Sequence, residues 1–286
     1  MSRIAYVNGR YLPHARAEVH IEDRGYQFAD GVYEVCEIYD GYLVDETLHL
    51  NRLERSLREV AIRMPVPRSA LRVILREVIR RNRVRNGIVY LQVTRGVARR
   101  DHAFPPADTP PSLVVTAKSI ARDKGERLAG EGVGVITLAD NRWERVDIKS
   151  VGLLPNALAK QKAKEAGARE AWFVDRDGYV TEGASTTAWI VTPEGDLVTR
   201  PNGPEILPGV TRITTAEVAR RAGLKVIERK FTVAEAKKAR EAFMTAASTI
   251  VMPVVTIDGD PVANGHPGSV ATQLRAIFHE VAEKLR

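Results

Sequence analysis

The chain has 286 residues, 44% of them hydrophobic and 28% charged, so it can bury the core of one large domain or two smaller ones. Its single cysteine, Cys36, excludes an internal disulfide and a multi-cysteine metal site, which fits a reducing cytoplasm. The net charge of +7 attracts small anions. Since no zinc-finger spacing or RNA-binding aromatic signature accompanies this charge, we expect no nucleic-acid partner.

The beginning of the chain shows no targeting signal. Residues 1–9 have no long apolar stretch before a small-residue cleavage site, and no stretch in the chain approaches the length of a membrane span. We therefore expect a cytoplasmic protein without a membrane segment.

The first half of the chain alternates hairpins with helices. Asn8-Gly9 and Asp40-Gly41 are hairpin turn signals between apolar runs. The predicted elements are strands over residues 1–45, a helix from Thr47 to about Arg63, a helix from about Ser69 to Asn82, and strands over 87–97 and 112–118. The polar, glycine-containing segment 121–132 is predicted to be a linker.

The second half shows the same mixture. The predicted elements are a strand from Val133, a helix over 155–167, a hairpin of strands 171–175 and 179–191, a helix over 211–222, a strand over 226–231, a short helix after Thr232, strands over 242–245 and 253–257, and a helix over 267–285. Hairpins mixed with isolated helices indicate the α+β class. We expect a small N-terminal domain, residues 1–120, and a larger C-terminal domain, residues 133–286.

Lys149 and Glu182 are the first candidate functional pair. Lys149 lies in an apolar neighbourhood, and Glu182 is a lone carboxylate at the end of a predicted strand. An enzyme that uses pyridoxal phosphate needs an amine to hold the cofactor and an acid to pair with its pyridinium nitrogen. Taken alone, such a lysine is more often a surface residue whose stem covers apolar area.

Two segments could bind a phosphate. Residues 207–211, Leu-Pro-Gly-Val-Thr, lead into a predicted helix whose first N–H groups could bind an anion, although an ordinary Pro-Gly turn has the same pattern. Residues 245–249 form a second small polar turn.

Arg100 and His102 could bind a carboxylate. They lie two residues apart, so on an extended loop they face the same way. A guanidinium binds a carboxylate with two donors, and an imidazole can add a third. A solvated basic loop is the alternative. Cys36 lies in a strand-like run and is predicted to be a packed core thiol.

Other chemistries lack their motifs. The chain has no Gly-x-Ser-x-Gly elbow, no Gly-x-Gly-x-x-Gly loop and no Walker lysine, and its six histidines show no metal-binding spacing. We expect no metal.

The segment EDRGYQFADGVYE at residues 22–34 resembles the N-terminal signature of D-amino-acid aminotransferases. These are fold-type IV pyridoxal-phosphate enzymes, as are branched-chain aminotransferases and aminodeoxychorismate lyases. The resemblance covers nearly the whole chain, in family order and spacing, and continues through residues 92–96, 147–150, 180–183 and 209–212. It implies a two-domain α+β fold whose larger domain has barrel-like β structure.

The resemblance implies a role for each candidate residue that binds pyridoxal 5′-phosphate. Lys149 would be the catalytic Schiff-base lysine, and Glu182 would meet the pyridine nitrogen. The other implied contacts are Arg52 with the phosphate, Val210 and Thr211 with the phosphate through their N–H groups, and Leu207 with the ring.

Two departures from the family affect the remaining contacts. Ala247 stands where the family often has a phosphate-binding threonine, so Ser248 or Thr249 would substitute. Ser185, another expected cofactor contact, begins Ser-Thr-Thr where many members have Ser-Ser-Asn.

The resemblance also implies a substrate. Tyr33, Arg100 and His102 would hold the substrate carboxylate, and the Arg-x-His pair is similar to the D-amino-acid enzymes in particular. The implied reaction is ping-pong transamination, from D-alanine and 2-oxoglutarate to pyruvate and D-glutamate, by a homodimer. A branched-chain L-amino-acid aminotransferase, an aminodeoxychorismate lyase and a non-enzymatic basic binding protein are the alternatives.

Overall fold

The computed structural model describes residues 3–285 and divides the chain into two compact units. Unit 1 contains the chain up to Ala121, the short segment Ile148–Gly152 and the residues from Glu283 on. Unit 2 contains Arg122–Asp147 and Leu153–Ala282. The segment with the predicted Schiff-base lysine therefore belongs to unit 1, although it interrupts the sequence of unit 2.

Unit 1 is built on an antiparallel sheet. Its strands among residues 3–285 are β1 (Ile4–Val7), β2 (Arg10–Pro13), β3 (Gly31–Tyr39), β4 (Tyr42–Val44), β5 (Gly87–Thr94), β6 (Ser112–Ser119) and β16 (Lys284–Leu285). They lie in the order β16-β4-β3-β5-β6-β1-β2, so the C-terminal strand β16 closes one edge.

The helices of unit 1, as far as the structure describes it, are α1 (Arg24–Phe28), α2 (Glu46–Glu59) and α3 (Arg68–Asn82), with a 3₁₀ turn at His14–Arg16. Leu50, Leu53 and Leu57 of α2 are buried in the core, and α2 packs against β3. Cys36 of β3 is confirmed as a packed core thiol, and burial raises the pKa of this thiol well above its usual value.

Helix α1 corrects the prediction of strands throughout residues 1–45. It begins after Asp23, whose Oδ1 accepts a hydrogen bond from the Gly25 N–H at 2.8 Å. A side-chain cap of this kind satisfies an N–H group that the first turn leaves without an intrahelical partner.

Unit 2 contains a mixed sheet. Its strands are β7 (Val133–Ala139), β8 (Glu170–Val174), β9 (Val180–Gly183), β10 (Thr187–Val191), β11 (Leu197–Thr199), β12 (Val226–Glu228), β13 (Glu241–Ala246), β14 (Ile250–Ile257) and β15 (Asp260–Pro261). The order is β12-β11-β10-β13-β14-β7-β8-β9, with β15 paired to β14. Pairs β11–β12, β14–β7 and β7–β8 are parallel and the others antiparallel.

The second strand of the predicted hairpin is divided into β9 and β10. The Gly183 N–H donates to the Thr186 carbonyl at 2.7 Å, and this hydrogen bond closes a turn between β9 and β10. Strand β9 pairs with β8, whereas β10 pairs with β11 and β13. This turn places Glu182 at the end of β9.

The helices of unit 2 are α4 (Arg122–Glu131), α5 (Leu154–Glu165), α6 (Val210–Arg221), α7 (Val233–Lys237) and α8 (Ser269–Val281). The predicted linker 121–132 thus contains α4, which has one buried residue, Ala129, beside the half-buried Leu128 and is mostly polar elsewhere. Helix α8 ends at Val281, short of the predicted Leu285, because residues 284–285 pair with β4. The α+β class is confirmed, and the domain limits 1–120 and 133–286 stay a prediction.

Candidate active site

Lys149 is fixed by its own backbone within unit 1. Its N–H donates to Ser56 Oγ at 3.4 Å, and its carbonyl accepts from the Tyr33 N–H at 3.0 Å. The next residues continue along β3, since the Val151 N–H donates to the Gly31 carbonyl at 3.0 Å. The backbone of residues 149–151 is therefore bound to the first residues of β3.

The amine of Lys149 lies over an aromatic ring. Its Nζ is 4.1 Å from the centroid of the Tyr33 ring. Among residues 3–285, no carboxylate forms a salt bridge with this Nζ; the nearby Asp147 accepts from Arg145 Nε at 3.0 Å instead. An amine without a counter-ion can react with a carbonyl compound when it is deprotonated, so Lys149 fits its predicted role.

Tyr33 lies on the face of β3 opposite the core. Strand alternation places Glu34 and Cys36 inside, and Tyr33 beside Tyr90 and Gln92 of β5. The two tyrosine rings are 5.6 Å apart, and the Tyr90 hydroxyl donates to Gln92 Oε1 at 2.6 Å. Burial raises the pKa of Tyr90 to about 12, so its hydroxyl remains a neutral donor beside Tyr33.

Arg52 belongs to a buried charge cluster that also contains Glu34 and His49. Its Nε and Nη2 each donate to one Glu34 oxygen at 2.8 Å, and His49 Nδ1 lies 2.8 Å from Glu34 Oε2. Burial opposes ionisation of Glu34, but Arg52 and His49 together hold the pKa of its carboxyl well below the usual value. Burial lowers the pKa of His49.

This cluster orients the predicted phosphate ligand. Arg52 and Ser56 are four residues apart on α2, so they share a helix face, and Ser56 contacts the backbone of Lys149. Sequence reasoning predicted Arg52 but missed Glu34 and His49. A signal was available, because Glu34 occupies a core-facing position of β3 and a buried carboxylate needs a cationic partner.

Glu182 is buried in unit 2, where two donors fix its carboxylate. Arg142 Nη1 donates to Oε1 at 2.5 Å, and the Leu207 N–H donates to Oε2 at 3.1 Å. Arg142 also binds Asp140 through Nε at 2.9 Å and Nη2 at 2.8 Å, and it lies 4.5 Å from the Phe173 ring centroid. The residue predicted to meet the pyridine nitrogen is thus held in one orientation.

The charge of Arg142 stabilises the ionised form of Glu182. Burial disfavours its charge, but Asp140 and Glu182 together raise the pKa of Arg142 above its usual value. An anionic Glu182 can accept a hydrogen bond from a protonated pyridine nitrogen. Sequence reasoning missed Arg142 because its partner Glu182 is 40 residues away and no spacing pattern joins them.

Helix α6 begins at Val210, one residue before the predicted Thr211. No side chain caps it: Gly209 is the N-cap residue, with φ −66°. A Cβ atom on Gly209 would lie 2.8 Å from Thr187 Oγ1, so only glycine fits without displacement. The N–H groups of the first turn lack intrahelical partners and suit a phosphate.

The other predicted cofactor contacts differ in their surroundings. The Leu207 N–H is bound to Glu182, and the exposed Ser185 donates its hydroxyl to Glu170 Oε2 at 2.6 Å. In the turn between β13 and β14, Ser248 is exposed. Thr249 Oγ1 is buried there without a hydrogen-bond partner among residues 3–285. The Ser185 hydroxyl is therefore already hydrogen-bonded to Glu170, whereas the Thr249 hydroxyl can donate a hydrogen bond to a ligand.

Arg100 and His102 are brought to one aromatic ring in unit 1. Their side chains lie 5.1 Å and 5.5 Å from the ring centroid of Phe28, at the end of α1. Both are exposed in the loop after β5. Both side chains of the predicted pair thus lie near the same ring and are open to a small anion.

Comparisons with known proteins bear on the family and the fold of this chain. The model of the family "Amino-transferase class IV" matches residues 31–257. A D-alanine aminotransferase of Bacillus licheniformis is 41% identical over 94% of this chain and 93% of its own, and one of Staphylococcus haemolyticus is 37% identical over 97% of both chains. The structure of a branched-chain amino acid aminotransferase from T.th. with pyridoxamine 5′-phosphate superposes with a TM-score of 0.89 at 26% identity, covering 98% of this chain and 94% of its own.

The fold and the residues above define a pyridoxal-phosphate-dependent aminotransferase of fold type IV. The chain belongs to the class IV aminotransferase family. The predictions of the family, the fold and the cofactor are confirmed.

Proposed function

We propose that this protein transfers the amino group of D-amino acids to a keto acid, with D-alanine as donor and 2-oxoglutarate as acceptor. The observation that carries the proposal is the Arg100–His102 pair on the Phe28 ring. An exposed guanidinium and an imidazole that lie near the same ring can together bind an α-carboxylate through several donors. The names of the relatives that are 36–41% identical support a D-amino acid as the substrate.

Each part of the cofactor would be held by residues whose contacts are described above. Lys149 Nζ would form the covalent link, Glu182 would accept the pyridine N–H, and Leu207 would contact the ring. The phosphate would bind Arg52, the Val210 and Thr211 N–H groups and, among Ser248 and Thr249, the buried Thr249 hydroxyl. Ser185, whose hydroxyl donates to Glu170, would be a further contact of the cofactor.

Bound pyridoxal phosphate supplies the electron sink that makes the Cα–H bond of an amino acid acidic. Lys149 Nζ would be the base that takes the Cα proton of the substrate and later gives a proton back. The Arg142 guanidinium donates to the Glu182 carboxylate and favours its charged form, so Glu182 would hold a protonated pyridine nitrogen when the cofactor is bound. Tyr33, Arg100 and His102 orient the substrate through its carboxylate, so they determine which hand of the amino acid presents its hydrogen to Lys149.

The experiment uses half-reactions without an acceptor. We expect D-alanine to abolish the visible cofactor absorbance and L-leucine to do so at least about tenfold more slowly, the difference that one charge-assisted hydrogen bond can make. Faster bleaching by L-leucine would favour a branched-chain aminotransferase, the activity named for the structural relative of 26% identity. Lys149→Ala is the control, because it removes the reacting amine and should fold without turnover.

Arg100→Ala tests the carboxylate site itself. We expect the D-alanine concentration for half-maximal bleaching to rise at least about tenfold, since a charge-assisted bidentate contact is lost. The affinity for pyridoxal phosphate should not change. An equal loss of both affinities would contradict the proposed role of Arg100.

We also propose a cytoplasmic homodimer that binds only small molecules. The single, buried Cys36 is compatible with a reducing compartment. Within residues 3–285, no helix combines the length and apolar composition that a bilayer crossing requires. The dimer is supported by the exposed apolar side chains of Ile21, Tyr26 and Phe104 near α1.

A further inference from the structure

Arg24 is a buried arginine that the proposed chemistry does not use. It is the first residue of α1, and it is 3% exposed. Its Nε donates to Asp30 Oδ2 at 2.8 Å. Its Nη1 donates to the carbonyls of Asp101 at 2.6 Å and Ala103 at 3.3 Å, and its Nη2 lies 3.5 Å from the carbonyl of His102. One guanidinium therefore holds three consecutive peptide units of the loop that carries Arg100 and His102.

The backbone of Arg24 holds the beginning of the same loop. Its N–H donates to the Gly96 carbonyl at 2.9 Å, and the Ala98 N–H donates to the Glu22 carbonyl at 3.3 Å. Gly96 has φ +99°, and a Cβ there would lie 2.0 Å from the Pro110 carbonyl oxygen, so the turn requires glycine. The loop is thus attached to α1 at its start and at its middle.

Asp30 connects Arg24 with a second buried arginine. Arg95 donates to Asp30 through Nε at 2.7 Å and Nη2 at 2.9 Å, and its guanidinium lies 3.5 Å from the ring centroid of Phe104. Both arginines are less than 9% exposed. The carboxylate fixes the planes of the two guanidinium groups that contact the loop.

Phe28 completes the connection between Arg24 and the carboxylate-binding pair. Arg24 lies 4.7 Å from its ring centroid, and Arg100 and His102 lie 5.1 Å and 5.5 Å from it. Cations near an aromatic ring are attracted to its face. The ring and the loop backbone, both held by Arg24, therefore determine where the two exposed side chains lie.

We propose that Arg24 is a positioning residue, which keeps Arg100 and His102 in the orientation that binds the substrate carboxylate. This inference rests on the proposed function. The loop side chains are exposed, so without the three carbonyl contacts the loop would be less ordered before substrate binds. The free energy needed to order it would then weaken substrate binding.

The test compares the variants Arg24→Lys and Arg24→Met with the control variant Arg81→Met, each in the enzyme with pyridoxal phosphate bound. A lysine retains the charge opposite Asp30 but lacks the planar fork that reaches three carbonyls. Arg81 is a matched control, because it also pairs with a carboxylate, Glu77 at 2.6 Å, and lies 4.2 Å from a ring, that of Tyr11. If Arg24→Met does not fold, Arg24→Lys decides the outcome.

We expect Arg24→Lys to raise the KM for D-alanine at least about tenfold with kcat changed less than about threefold, since small displacements of binding groups have effects of this size. Pyridoxal-phosphate affinity should be unchanged. Amide hydrogen exchange of residues 98–104 should become faster in the absence of substrate, a readout independent of activity. Arg81→Met should change none of these quantities.

A double variant separates the inference from the proposed function. If Arg24 acts through Arg100, Arg24→Lys combined with Arg100→Ala should raise the KM hardly more than Arg100→Ala alone. The positioning role would be overturned if the KM of the double variant rose by the product of the two single effects. It would also be overturned if Arg24→Lys changed neither the KM for D-alanine nor the amide hydrogen exchange of the loop. If Arg100→Ala alone leaves the D-alanine half-reaction unchanged, the proposed carboxylate site fails, whatever Arg24 does.

Discussion

At the scale of single residues, the charge of Glu34 is the feature with the clearest physical consequence. Its side chain is completely buried, and its stability as an anion depends on Arg52 and His49. Removal of one member of a buried ion pair leaves an uncompensated charge, which commonly costs about 3–5 kcal/mol. The cluster therefore matters for stability as well as for the orientation of Arg52.

We expect Glu34→Gln to lower the free energy of unfolding by about 3 kcal/mol at neutral pH. Because the pKa of Glu34 is lower in the folded chain than its usual value of 4.5, its ionised form stabilises the fold above that pH. This contribution is lost as the pH falls through the folded pKa, so the difference between variant and parent should shrink below about pH 4.5. Denaturant unfolding at several pH values measures it.

Glu77→Gln provides the matched control. The pKa of Glu77 is also lowered, to about 2, by hydrogen bonds from Arg80 and Arg81, but these partners lie at the surface. Solvent screens exposed pairs, so we expect a much smaller loss of stability. Equal losses for Glu34 and Glu77, or a constant difference from pH 3 to 7, would contradict the role of the buried cluster.

At the scale of elements, the turn between β13 and β14 departs from the family pattern. Ala247 lacks the usual hydroxyl, and the structure distinguishes the two candidates that could replace it. Ser248 is exposed to solvent, whereas Thr249 Oγ1 is buried without a partner among the described residues. A buried hydroxyl without a hydrogen bond is unfavourable, so a ligand oxygen that accepts from it would be bound more tightly.

We expect Thr249→Val to raise the dissociation constant of pyridoxal phosphate about tenfold, the effect of one hydrogen bond to a charged group. Ser248→Ala should change it little. Absorbance titration of the cofactor-free protein measures both, and titration with pyridoxal, which has no phosphate, should show no difference between the variants. A larger effect of Ser248→Ala than of Thr249→Val would show that Ser248 supplies the phosphate-binding hydroxyl.

Local patterns predicted some elements well and others poorly. Helix α2 was predicted from the spacing of its apolar residues, among them the buried Leu50, Leu53 and Leu57. Helix α7 was predicted from its N-terminal cap, in which Thr232 Oγ1 accepts from the Glu235 N–H at 3.1 Å. Both patterns can be read in the sequence because residues that are neighbours in the chain make them. The five-residue helix α1 and the polar helix α4 were missed. A short or polar helix has no apolar stripe, so periodicity cannot reveal it.

At the scale of the whole molecule, the apolar surface near α1 supports the proposed dimer. Ile21, Tyr26 and Phe104 are 75%, 76% and 62% exposed. They belong to adjoining segments of unit 1, since Arg24 of α1 binds the loop just before Phe104. Exposed large apolar side chains in neighbouring segments are typical of an interaction surface.

We expect the parent protein to sediment with twice the chain mass at micromolar concentration, and Tyr26→Arg to shift it towards the monomer, because a charge at a dimer interface loses its hydration. Val73→Arg is the control, since Val73 is also exposed, at 65%, but lies on α3. A parent protein of single-chain mass at every concentration would contradict the dimer.

The sequence by itself determined the class of chemistry. The order and spacing of Lys149, Glu182, Arg52 and the Gly209–Thr211 turn resembled one family, and the comparisons confirmed that family. The Arg100–His102 spacing also predicted that the two side chains face the same way, because an extended loop turns alternate residues to one side, and in the structure both lie near the Phe28 ring.

Only the tertiary structure decided what holds these residues. Lys149 lies against Tyr33 in unit 1, Arg142 holds Glu182, and Arg24 holds the loop of Arg100. Glu283 shows the same principle at the greatest distance: its carboxylate accepts from the Thr47 N–H at 2.9 Å, 236 residues away, at the first turn of the helix that carries Arg52. Hydrogen bonds and ion pairs between distant residues leave no periodic trace in a sequence, because they depend on which elements the fold brings together.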